Sequence, residues 1–380
     1  MVRTLDELDV TNKTVLVQSN LDVPFSEETI TDDTRLIASL ETIQELLSKG
    51  CRVILCGHIG RPKGEYVASL STKKLISKLQ ELLKQQITFL PIIDKDLVEK
   101  VPKPGVGMLE NIRMWSGEEA NDEAFAKQLA SLADAYVNDD YIDSHRETSA
   151  NTLLPTLLPS AMGRTLYKEY SLITNTITNP KRPYVAIIGG AKKDKLRVIE
   201  HVLRQADHIL LGGVLANTFL KATGQNIASS KYDKESQQEA QELYKHTHKI
   251  LLPSDCVAAK KLALGEETIT CYLEDLPEEY MILDIGPQTI KRYKQILTEA
   301  QTVVWGGPIG AFETAPFEHG TEEIARTIAN TPGYSLIAGG DSAAAIHKLR
   351  LNVDHISIGG GATLHLIAGD ALPAIEALKK

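Results

Sequence analysis

The sequence predicts an α/β protein with two doubly wound parallel-sheet domains. Short apolar segments alternate along the chain with longer amphipathic segments, which is the pattern of consecutive βαβ units. The apolar segments are rich in Val, Ile and Leu without strict alternation, as expected for strands that helices cover on both faces. The chain has 380 residues, and because a single core stops growing at roughly 250–300 residues, two domains are expected.

In the first half of the chain, predicted strands and helices alternate regularly. Strands are predicted at TVLVQS (14–19), RVILCG (52–57), ITFLP, VGMLEN and AYVND. Helices are predicted at residues 31–50, 71–85 and around 121–133. Apolar residues at helical spacing define the first of these helices, and Gly50 is its stop signal. Ser71 is a suitable N-cap for the second helix.

The second half repeats the alternation and predicts a second, Rossmann-like domain. Its strands are predicted at YVAIIGG, HILLGG, KILLP, ILDIG, TVVWGG, SLIAGG and HISIGG, and five of these segments end in consecutive glycines. Glycine lets a phosphate approach the backbone, and the N-terminus of the next helix supplies free N–H groups. One such pair fits an ordinary tight turn, whereas five in one domain favour a nucleotide-binding face at the carboxyl ends of the strands.

Composition and charge exclude several classes of protein. The formal net charge of −9 argues against a nucleic-acid or anionic-membrane partner, because either would require a basic face. The N-terminal segment carries acids where a signal peptide carries bases, and no apolar run reaches the length of a membrane span. The four cysteines form no C-x-x-C pair, which favours buried thiols in a reducing cytoplasm over disulfides or a metal site.

Several familiar catalytic motifs are absent from the sequence. There is no G-x-x-x-x-G-K-[ST] segment and no G-x-G-x-x-G segment that opens a helix, so neither a P-loop nor a dinucleotide fingerprint is present. The H-R-D and D-F-G segments of protein kinases and the G-x-S-x-G elbow of hydrolases are also missing. Any chemistry must therefore use another set of loops.

Basic residues recur in the loops that follow strands of the first half. They are Arg35, His58, Arg61, Arg113, His145 and Arg146. A single arginine in a loop is usually a solvated charge, but four arginines from four separate connections at one sheet edge are not explained in that way. Guanidinium groups bind phosphate and carboxylate through paired hydrogen bonds. The sequence therefore predicts an anion site that faces a nucleotide site across a cleft.

Eight segments of the chain are long and distinctive. They are ITDDTR, GHIGRPKG, LENIR, NPKRPYVAIIGGAK, LDIGP, VVWGGPIGAFE, AGGDSAAA and ISIGGGA. In this order they resemble the phosphoglycerate kinase family, from about residue 10 to the C-terminus. The resemblance implies reversible phosphoryl transfer between ATP and the carboxylate of 3-phosphoglycerate, in glycolysis or gluconeogenesis. It also implies Mg²⁺ with the nucleotide, a monomeric cytoplasmic enzyme without nucleic-acid or membrane partners, and two lobes that close a cleft by hinge bending.

The resemblance also implies roles for individual residues. The 3-phosphoglycerate site would contain Asn20, Asp22, Arg35, His58, Ile59, Gly60, Arg61, Arg113 and Arg146. The nucleotide would contact Lys192, Lys195, Gly212, Gly213, Glu313, Gly339, Gly340, Asp341 and Ser342. The catalytic residues would be Arg35, Lys192, Lys195 and Gly340. Asp341 would help to hold the Mg²⁺ of the nucleotide complex.

A predicted helix that ends in a Pro-rich segment separates the two series of strands and marks the domain boundary. The resemblance adds a role for each part of the chain. Residues 1–165 would bind 3-phosphoglycerate, and residues 166–183, which contain a helix and a Pro-rich segment, would form the hinge. Residues 184–361 would bind the nucleotide, and residues 362–380 would return to the N-terminal domain.

The chain departs from the family pattern near the anion site. Gln18 replaces an arginine, and Asn20 and Asp22 stand where the family has Asp and Asn. The family segment NDAFGTAHRAHAS is here NDDYIDSHRETSA, which adds three acidic residues beside the anion site. The lost arginine and the added acids leave open an altered-substrate or weakly active relative, or a non-catalytic binding protein.

Further departures fall in the predicted nucleotide site. The lysine loop, GGAKKDK, is one residue shorter than the family pattern, so that Lys195 stands at a changed offset from Lys192. Gly306 stands in place of an asparagine. Val214 and Ile282 replace glycines, and their side chains are expected to crowd the adenine pocket.

Overall fold

The computed structural model describes residues 2–190, 195–245 and 247–379. The chain forms two compact units. The first comprises Met1–Ser171 and Ala371–Lys380, and the second comprises Leu172–Asp370. None of the helices in the described ranges combines the length and the apolar composition that crossing a membrane requires.

The first unit contains a central six-stranded sheet, a separate two-stranded antiparallel pair formed by Phe25–Ser26 and Thr29–Ile30, and the helices that cover the central sheet. Its strands are β1 (Thr14–Gln18), β2 (Phe25–Ser26), β3 (Thr29–Ile30), β4 (Arg52–Cys56), β5 (Ile87–Leu90), β6 (Gly105–Leu109), β7 (Ala135–Asn138) and β8 (Ser160–Met162). Its helices begin with α1 (Thr34–Ser48), α2 (Ile76–Leu83), α3 (Lys95–Glu99), α4 (Ser116–Glu119), α5 (Glu123–Ala130), α6 (Leu154–Leu157) and α7 (Arg164–Thr178). The boundary between the two units lies within α7.

Six of these strands form a parallel sheet in the order β5-β6-β4-β1-β7-β8. Val15 and Val17 of β1 pack on one face with Leu36 of α1. Leu16 of β1 packs on the other face with Phe125 of α5. Both faces are therefore buried, which explains why the strands lack a polar and apolar alternation.

The local signals in the first unit are confirmed. The Ser71 side chain accepts a hydrogen bond from the backbone N–H of Lys73 and caps a short helical turn that leads into α2. Gly50 follows α1 with φ +74°, a conformation that favours glycine.

The second unit is also α/β. Its strands are β9 (Tyr184–Ile188), β10 (His208–Leu211), β11 (Ile250–Leu251), β12 (Asp255–Ala259), β13 (Ile269–Tyr272), β14 (Met281–Ile285), β15 (Thr302–Gly306), β16 (Tyr334–Ala338) and β17 (His355–Ile356). The remaining helices are α8 (Lys195–Leu203), α9 (Gly213–Ala222), α10 (Gln237–Lys245), α11 (Pro287–Thr298), α12 (His319–Ala329), α13 (Gly340–Lys348), α14 (Gly361–Ile367) and α15 (Pro373–Ala377).

The main sheet of the second unit is parallel throughout, in the order β11-β10-β9-β15-β16-β17. From β9 the chain adds strands on one side and then, from β15 onward, on the other. The order therefore reverses between β9 and β15, which is the switch point at which doubly wound sheets bind ligands. This topology confirms the predicted fold class.

One predicted strand belongs to a different sheet. The sequence pattern places ILDIG in the parallel series, but β14 pairs antiparallel with β12 in a separate sheet ordered β13-β12-β14. Neither β12 nor β13 is among the strands predicted from the sequence. The side chains of β13 are only half-buried or exposed and give a weak apolar signal. Cys256 and Cys271 face each other across this sheet with their Sγ atoms 4.0 Å apart. Both are free thiols, as are Cys51 and Cys56.

The C-terminal helix returns to the first unit. Ala374 at the start of α15 donates its backbone N–H to the carbonyl of Ser144 at 3.1 Å. By contrast, α14 packs against α8 in the second unit. The C-terminal segment that belongs to the first unit thus begins at Ala371. The domain limits drawn from the sequence remain a prediction.

A buried carboxylate connects β7 to the start of α7. Asp139 follows β7 and accepts hydrogen bonds from the backbone N–H of Thr165 at 2.8 Å and from its hydroxyl at 3.0 Å. Gly163 allows this approach, since a Cβ atom there would lie 2.2 Å from Asp139 Oδ1. Burial raises the pKa of Asp139 to about 7. The folded protein therefore favours the neutral carboxyl group.

Asp139→Asn should cost more stability at pH 5 than at pH 8. A carboxyl group with a raised pKa stabilises the folded state fully below its unfolded pKa of 3.8 and loses that contribution as the pH rises through about 7. The cost of the substitution should thus fall by about 2–3 kcal/mol between the two pH values. Urea unfolding followed by circular dichroism measures this change.

Glu123→Gln, at an exposed position in the first turn of α5, is the matched control and should have the same small effect at both pH values. An equal cost of Asp139→Asn at pH 5 and pH 8 would show that Asp139 does not bind a proton more tightly in the folded state.

Candidate active site

Loops at the carboxyl edge of the first sheet bring charged side chains together. Asp22 follows β1, His58 follows β4, Arg113 follows β6 and Arg146 follows β7, while Arg35 lies in the first turn of α1. Parallel strands end at the same edge, so that residues far apart in sequence meet there. We call these five side chains, together with Asp140 and Asp143 of the loop after β7, the anion site.

Asp22 is the centre of one half of the anion site. Its Oδ1 atom accepts a hydrogen bond from the backbone N–H of Gly60 at 2.8 Å. Arg35 Nη1 donates to the backbone carbonyl of Asp22 and lies 3.9 Å from its Oδ2 atom. His58 Nε2 is also 3.9 Å from Oδ2. The structure therefore brings together four residues that the sequence assigns to one substrate site.

Asp143 is the centre of the other half. Arg113 Nη2 donates to Asp143 Oδ2 at 3.1 Å, and Arg146 Nε lies 2.8 Å from Oδ1. His58 Nε2 is 3.2 Å from Oδ2. The sequence shows added acids in this loop but does not show that one of them pairs with both arginines. Asp143 stands three residues before Arg146, and this spacing is the sequence signal that could have indicated the pair of Asp143 and Arg146.

The protonation states in the anion site follow from burial and charge. Burial, reinforced by the guanidinium groups of Arg113 and Arg146, lowers the pKa of His58 to about 4. His58 is thus a neutral imidazole near pH 7. Burial would raise the pKa of Asp143, but the charges of His58, once it is protonated near pH 4, and of Arg113 and Arg146 outweigh burial and hold the pKa below its usual range. Asp143 is therefore a carboxylate.

Two buried asparagines hold these loops in place. Asn111 donates to the carbonyl of Ile59 at 2.7 Å. Asn151 donates to the carbonyls of Asp143 at 2.9 Å and Arg146 at 3.2 Å. Most buried amides in proteins are hydrogen-bonded, and here the bonds of Asn111 and Asn151 fix the loop backbones. Sequence reasoning missed both, since neither carries charge.

Part of the anion site also has ligand types that suit a metal ion. Ligand atoms of His58, Asp140 and Asp143 lie within 4.8 Å of one another. Asp140 Oδ2 is buried and has no hydrogen-bond partner in the described part of the chain. However, Arg113 and Arg146 already neutralise Asp143 and would repel a cation. The charges at this position suit an anion better.

The other predicted substrate residues are near these loops in sequence but differ in exposure. Asn20 is buried, and its Nδ2 atom has no partner among the described residues. Ile59 is buried, whereas Arg61 in the same loop is exposed. Gln18, which replaces a family arginine, is buried at the end of β1, where its Oε1 atom lies 3.3 Å from the Cys56 thiol.

In the second unit, Lys195 lies at the switch point between β9 and β15. It is the first residue of α8 and is buried. Its ammonium group donates to the carbonyl of Gly189, at the end of β9, and to that of Gly306, at the end of β15, at 3.3 Å. Lys192 lies outside the described residues. The side chain of Lys195 is thus directed at backbone carbonyls of the crevice.

The N-terminus of α13 presents open backbone beside the same crevice. Gly339 has φ +94°, and Cβ atoms added at Gly339 or Gly340 would meet nothing within 4 Å. Ser342 in the first turn accepts a hydrogen bond from the backbone N–H of Gly307 at 2.7 Å. Asp341 beside it is exposed. The turn leaves room for an anionic group near the free N–H groups of the helix.

A cleft of about 400 Å³ adjoins these glycine turns, and its wall includes Gly213, Val214, Ile282, Glu313 and Asp341. Gly212 precedes α9, and Gly213 begins it with φ +62°. The structure therefore places both departures that were expected to crowd the adenine pocket in the wall of this cleft. A second groove of about 570 Å³, which includes Tyr244 and Arg292 in its wall, contains none of these glycines.

The residues around the cleft fit a magnesium–nucleotide complex. Two helices of nine and ten residues, α13 and α9, begin there, and helix N-termini attract phosphate groups. Asp341 offers carboxylate oxygens, the ligand type that Mg²⁺ prefers. A volume of about 400 Å³ remains beside Val214 and Ile282, whose apolar side chains suit a base, and Glu313 in the same wall is exposed.

Comparisons with known proteins agree with this geometry. The family model described as phosphoglycerate kinase matches residues 5–370. A phosphoglycerate kinase of Moorella thermoacetica is 42% identical over 99% of this chain and 98% of that protein. A cytosolic phosphoglycerate kinase of Triticum aestivum is 41% identical with the same coverage.

Solved structures give the same result. Phosphoglycerate kinase from Coxiella burnetii has a TM-score of 0.92 at 30% identity and covers 100% of this chain and 99% of its own. The enzyme from Pyrococcus horikoshii has a TM-score of 0.84 at 30% identity, with 100% and 98% coverage. The match spans both units, and the chain belongs to the phosphoglycerate kinase family.

Proposed function

We propose that the chain catalyses reversible transfer of a phosphoryl group between MgATP and the carboxylate of 3-phosphoglycerate. Membership of the family makes it a phosphotransferase with a carboxyl group as acceptor. The observation that carries the proposal is the convergence of Arg35, Arg113 and Arg146 at one sheet edge. Guanidinium groups in this arrangement suit a substrate that bears both a phosphate and a carboxylate.

Each predicted substrate residue of the first unit has a role in this proposal. Arg61, Arg113 and Arg146 bind the phosphate of 3-phosphoglycerate, and Arg35 stabilises its carboxylate and the phosphoryl group in transit. Asn20 and Asp22 hydrogen-bond the substrate hydroxyl. His58, Ile59 and Gly60 border the substrate. His58 contributes a neutral hydrogen-bonding ring, because its pKa is about 4.

The second unit would bind the nucleotide. Glu313 accepts hydrogen bonds from the ribose hydroxyls, and Asp341 holds the Mg²⁺ that enters with ATP. The backbone of Gly212, Gly213, Gly339 and Gly340, together with Ser342, surrounds the phosphates. Lys192 and Lys195 contact the transferring group. The positions of Glu313 and Asp341 in the wall of one cleft support this assignment.

The chemistry needs no covalent bond to the protein. A carboxylate oxygen of 3-phosphoglycerate attacks the γ-phosphorus while the bond to the ADP oxygen breaks. The protein aligns the attacking and leaving oxygens and surrounds the transferring group with positive charge. Arg35 supplies that charge from the acid side, and Lys192, Lys195 and the Gly340 N–H supply it from the nucleotide side.

The proposal includes a monomeric, cytoplasmic enzyme that works by bending at residues 166–183. The relative from Triticum aestivum is named as cytosolic, and the boundary between the compact units falls within this segment. Light scattering of the full chain should give one 41.7 kDa species. A stable dimer at micromolar concentration would contradict the monomer.

The first test is turnover of MgATP with 3-phosphoglycerate, coupled to NADH oxidation through reduction of the 1,3-bisphosphoglycerate formed. We expect turnover in the ordinary range of kinases, about 1–100 per second or faster. Absence of turnover from the folded protein would contradict the proposal and favour an altered acid substrate. The buried Gln18 would then be the first position to examine.

Arg35→Ala should lower kcat by about 100-fold to 1,000-fold, because it removes one preorganised cation from the developing charge. The coupled assay measures the loss, and circular dichroism checks the fold. Lys127→Ala, which removes an exposed charge from α5 in the same unit, should leave turnover unchanged. Near-wild-type kcat for Arg35→Ala would remove Arg35 from the catalytic residues.

Glu313→Ala should abolish discrimination between ATP and 2′-deoxyATP. If Glu313 accepts a hydrogen bond from the ribose 2′-hydroxyl, the wild type should bind ATP about tenfold more tightly than its deoxy analogue, and the variant should bind both equally. The ratio of the two KM values measures this effect. Glu299→Ala, at an exposed position after α11, should preserve the ratio. Discrimination that persists in Glu313→Ala would assign the ribose contact elsewhere.

A further inference from the structure

We propose that Asp143 is an intramolecular competitor of the substrate phosphate, so that its carboxylate sets how tightly the anion site binds phosphate groups. The inference rests on the proposed function, since it concerns the same substrate. It assigns a specificity-determining role to a residue that departs from the family pattern, in which this position of the NDAFGTAHRAHAS segment is threonine.

The first support is geometric. The two oxygens of the Asp143 carboxylate contact different guanidinium groups, Oδ2 at 3.1 Å from Arg113 Nη2 and Oδ1 at 2.8 Å from Arg146 Nε. These are two of the three arginines assigned to the substrate phosphate. A carboxylate offers a guanidinium group the same charge sign and the same paired acceptor oxygens as a phosphate. Asp143 thus accepts a hydrogen bond from Arg113 and forms an ion pair with Arg146, whose Nε atom has no hydrogen-bond partner in the described part of the chain. Its negative charge lies where the charge of a phosphate would lie.

The second support is that Asp143 is held in this position. Its backbone N–H donates to Asp140 Oδ1 at 3.3 Å, and its carbonyl accepts from Asn151 at 2.9 Å. The side chain is only 9% exposed, so water does not screen its charge as it would at the surface. Asp143 remains ionised near neutral pH, since its pKa lies below the usual range.

The consequence for a ligand is electrostatic. A phosphate monoester carries nearly two negative charges near pH 7, and it would meet the charge of Asp143 at close range. To bind, the phosphate must replace Asp143 on both guanidinium groups and displace its carboxylate. Arg61, which is exposed and has no ion pair in the described part of the chain, remains available for the first contact.

The test is Asp143→Asn, which keeps the shape and one acceptor oxygen but removes the charge. The variant should bind phosphate groups about tenfold more tightly, because tenfold corresponds to the free energy of a typical charge-assisted hydrogen bond. Two measured quantities should therefore fall by this factor. They are the KM for 3-phosphoglycerate and the dissociation constant of inorganic phosphate, measured by calorimetry on the full chain without nucleotide. The KM for MgATP should not change, because its predicted contacts lie on other loops.

Glu147→Gln is the matched control. It removes the same charge from the same loop at an exposed position next to Arg146. The phosphate dissociation constant should stay within about twofold of the wild type, since exposed charges are screened by solvent and salt. If Glu147→Gln lowered the phosphate dissociation constant as much as Asp143→Asn does, net charge alone would explain the effect. That result would overturn the specific role of Asp143.

Loss of Asp143 leaves the buried Arg113 without this partner, which can destabilise the fold. Asp143→Thr, the residue of the family pattern, is therefore the second variant. Thermal unfolding of both variants in a phosphate titration gives a further measurement, because a ligand that binds more tightly raises Tm at lower concentration. Phosphate should stabilise both variants at about tenfold lower concentration than the wild type.

Unchanged or weaker phosphate binding in the folded variants would overturn the inference. The phosphate titration does not depend on catalysis, and it decides the role of Asp143 even if 3-phosphoglycerate is not turned over. Conversely, normal turnover with an unchanged KM and phosphate affinity in both variants would reject the role of Asp143 while the proposed function stands.

Discussion

The anion site depends on the parallel pairing of β1 with both β4 and β7. Parallel pairing directs the carboxyl ends of these strands to one edge, so that Asp22, His58 and Asp143 meet although the chain separates them by up to about 120 residues. The pairing is stable because both faces of the sheet are buried by apolar side chains. The apolar core thus positions the charged loops without contacting a ligand.

Burial strengthens the electrostatic interactions among the charged groups of this site. In a partly dry environment a guanidinium–carboxylate pair interacts more strongly than in water, and an unpaired charge costs more. This explains why His58 is neutral between two arginines, and why Asp143 stays charged beside them. The same balance makes the site sensitive to one residue, because any anion that enters must replace an internal one.

The second unit presents backbone N–H groups to an anionic ligand, whereas the first unit presents charged side chains. Its glycine turns follow the strands on either side of the switch point between β9 and β15, and helix N-termini open beside them. Backbone N–H groups attract phosphate without a buried charge that would need a partner. Lys195 is the exception, and it is satisfied by strand-end carbonyls.

The sequence by itself determined the fold class, the family and most strands of the two parallel sheets. It also assigned Asp22, Arg35, His58, Arg113 and Arg146 to one site. Apolar runs, helix caps and glycine pairs are local signals, and local physics is enough to interpret them. The sequence did not reveal the antiparallel sheet around β12. Its strand β13 is half-buried or exposed and gives a weak signal, and the apolar segment of β14 does not show which sheet it joins. The fixing of the loops by Asn111 and Asn151, and the pairing of Asp143 with Arg113, were decided only by tertiary structure. Those contacts join residues 8 to 52 positions apart, and only the folded sheet determines which of many acids and amides come within hydrogen-bonding distance.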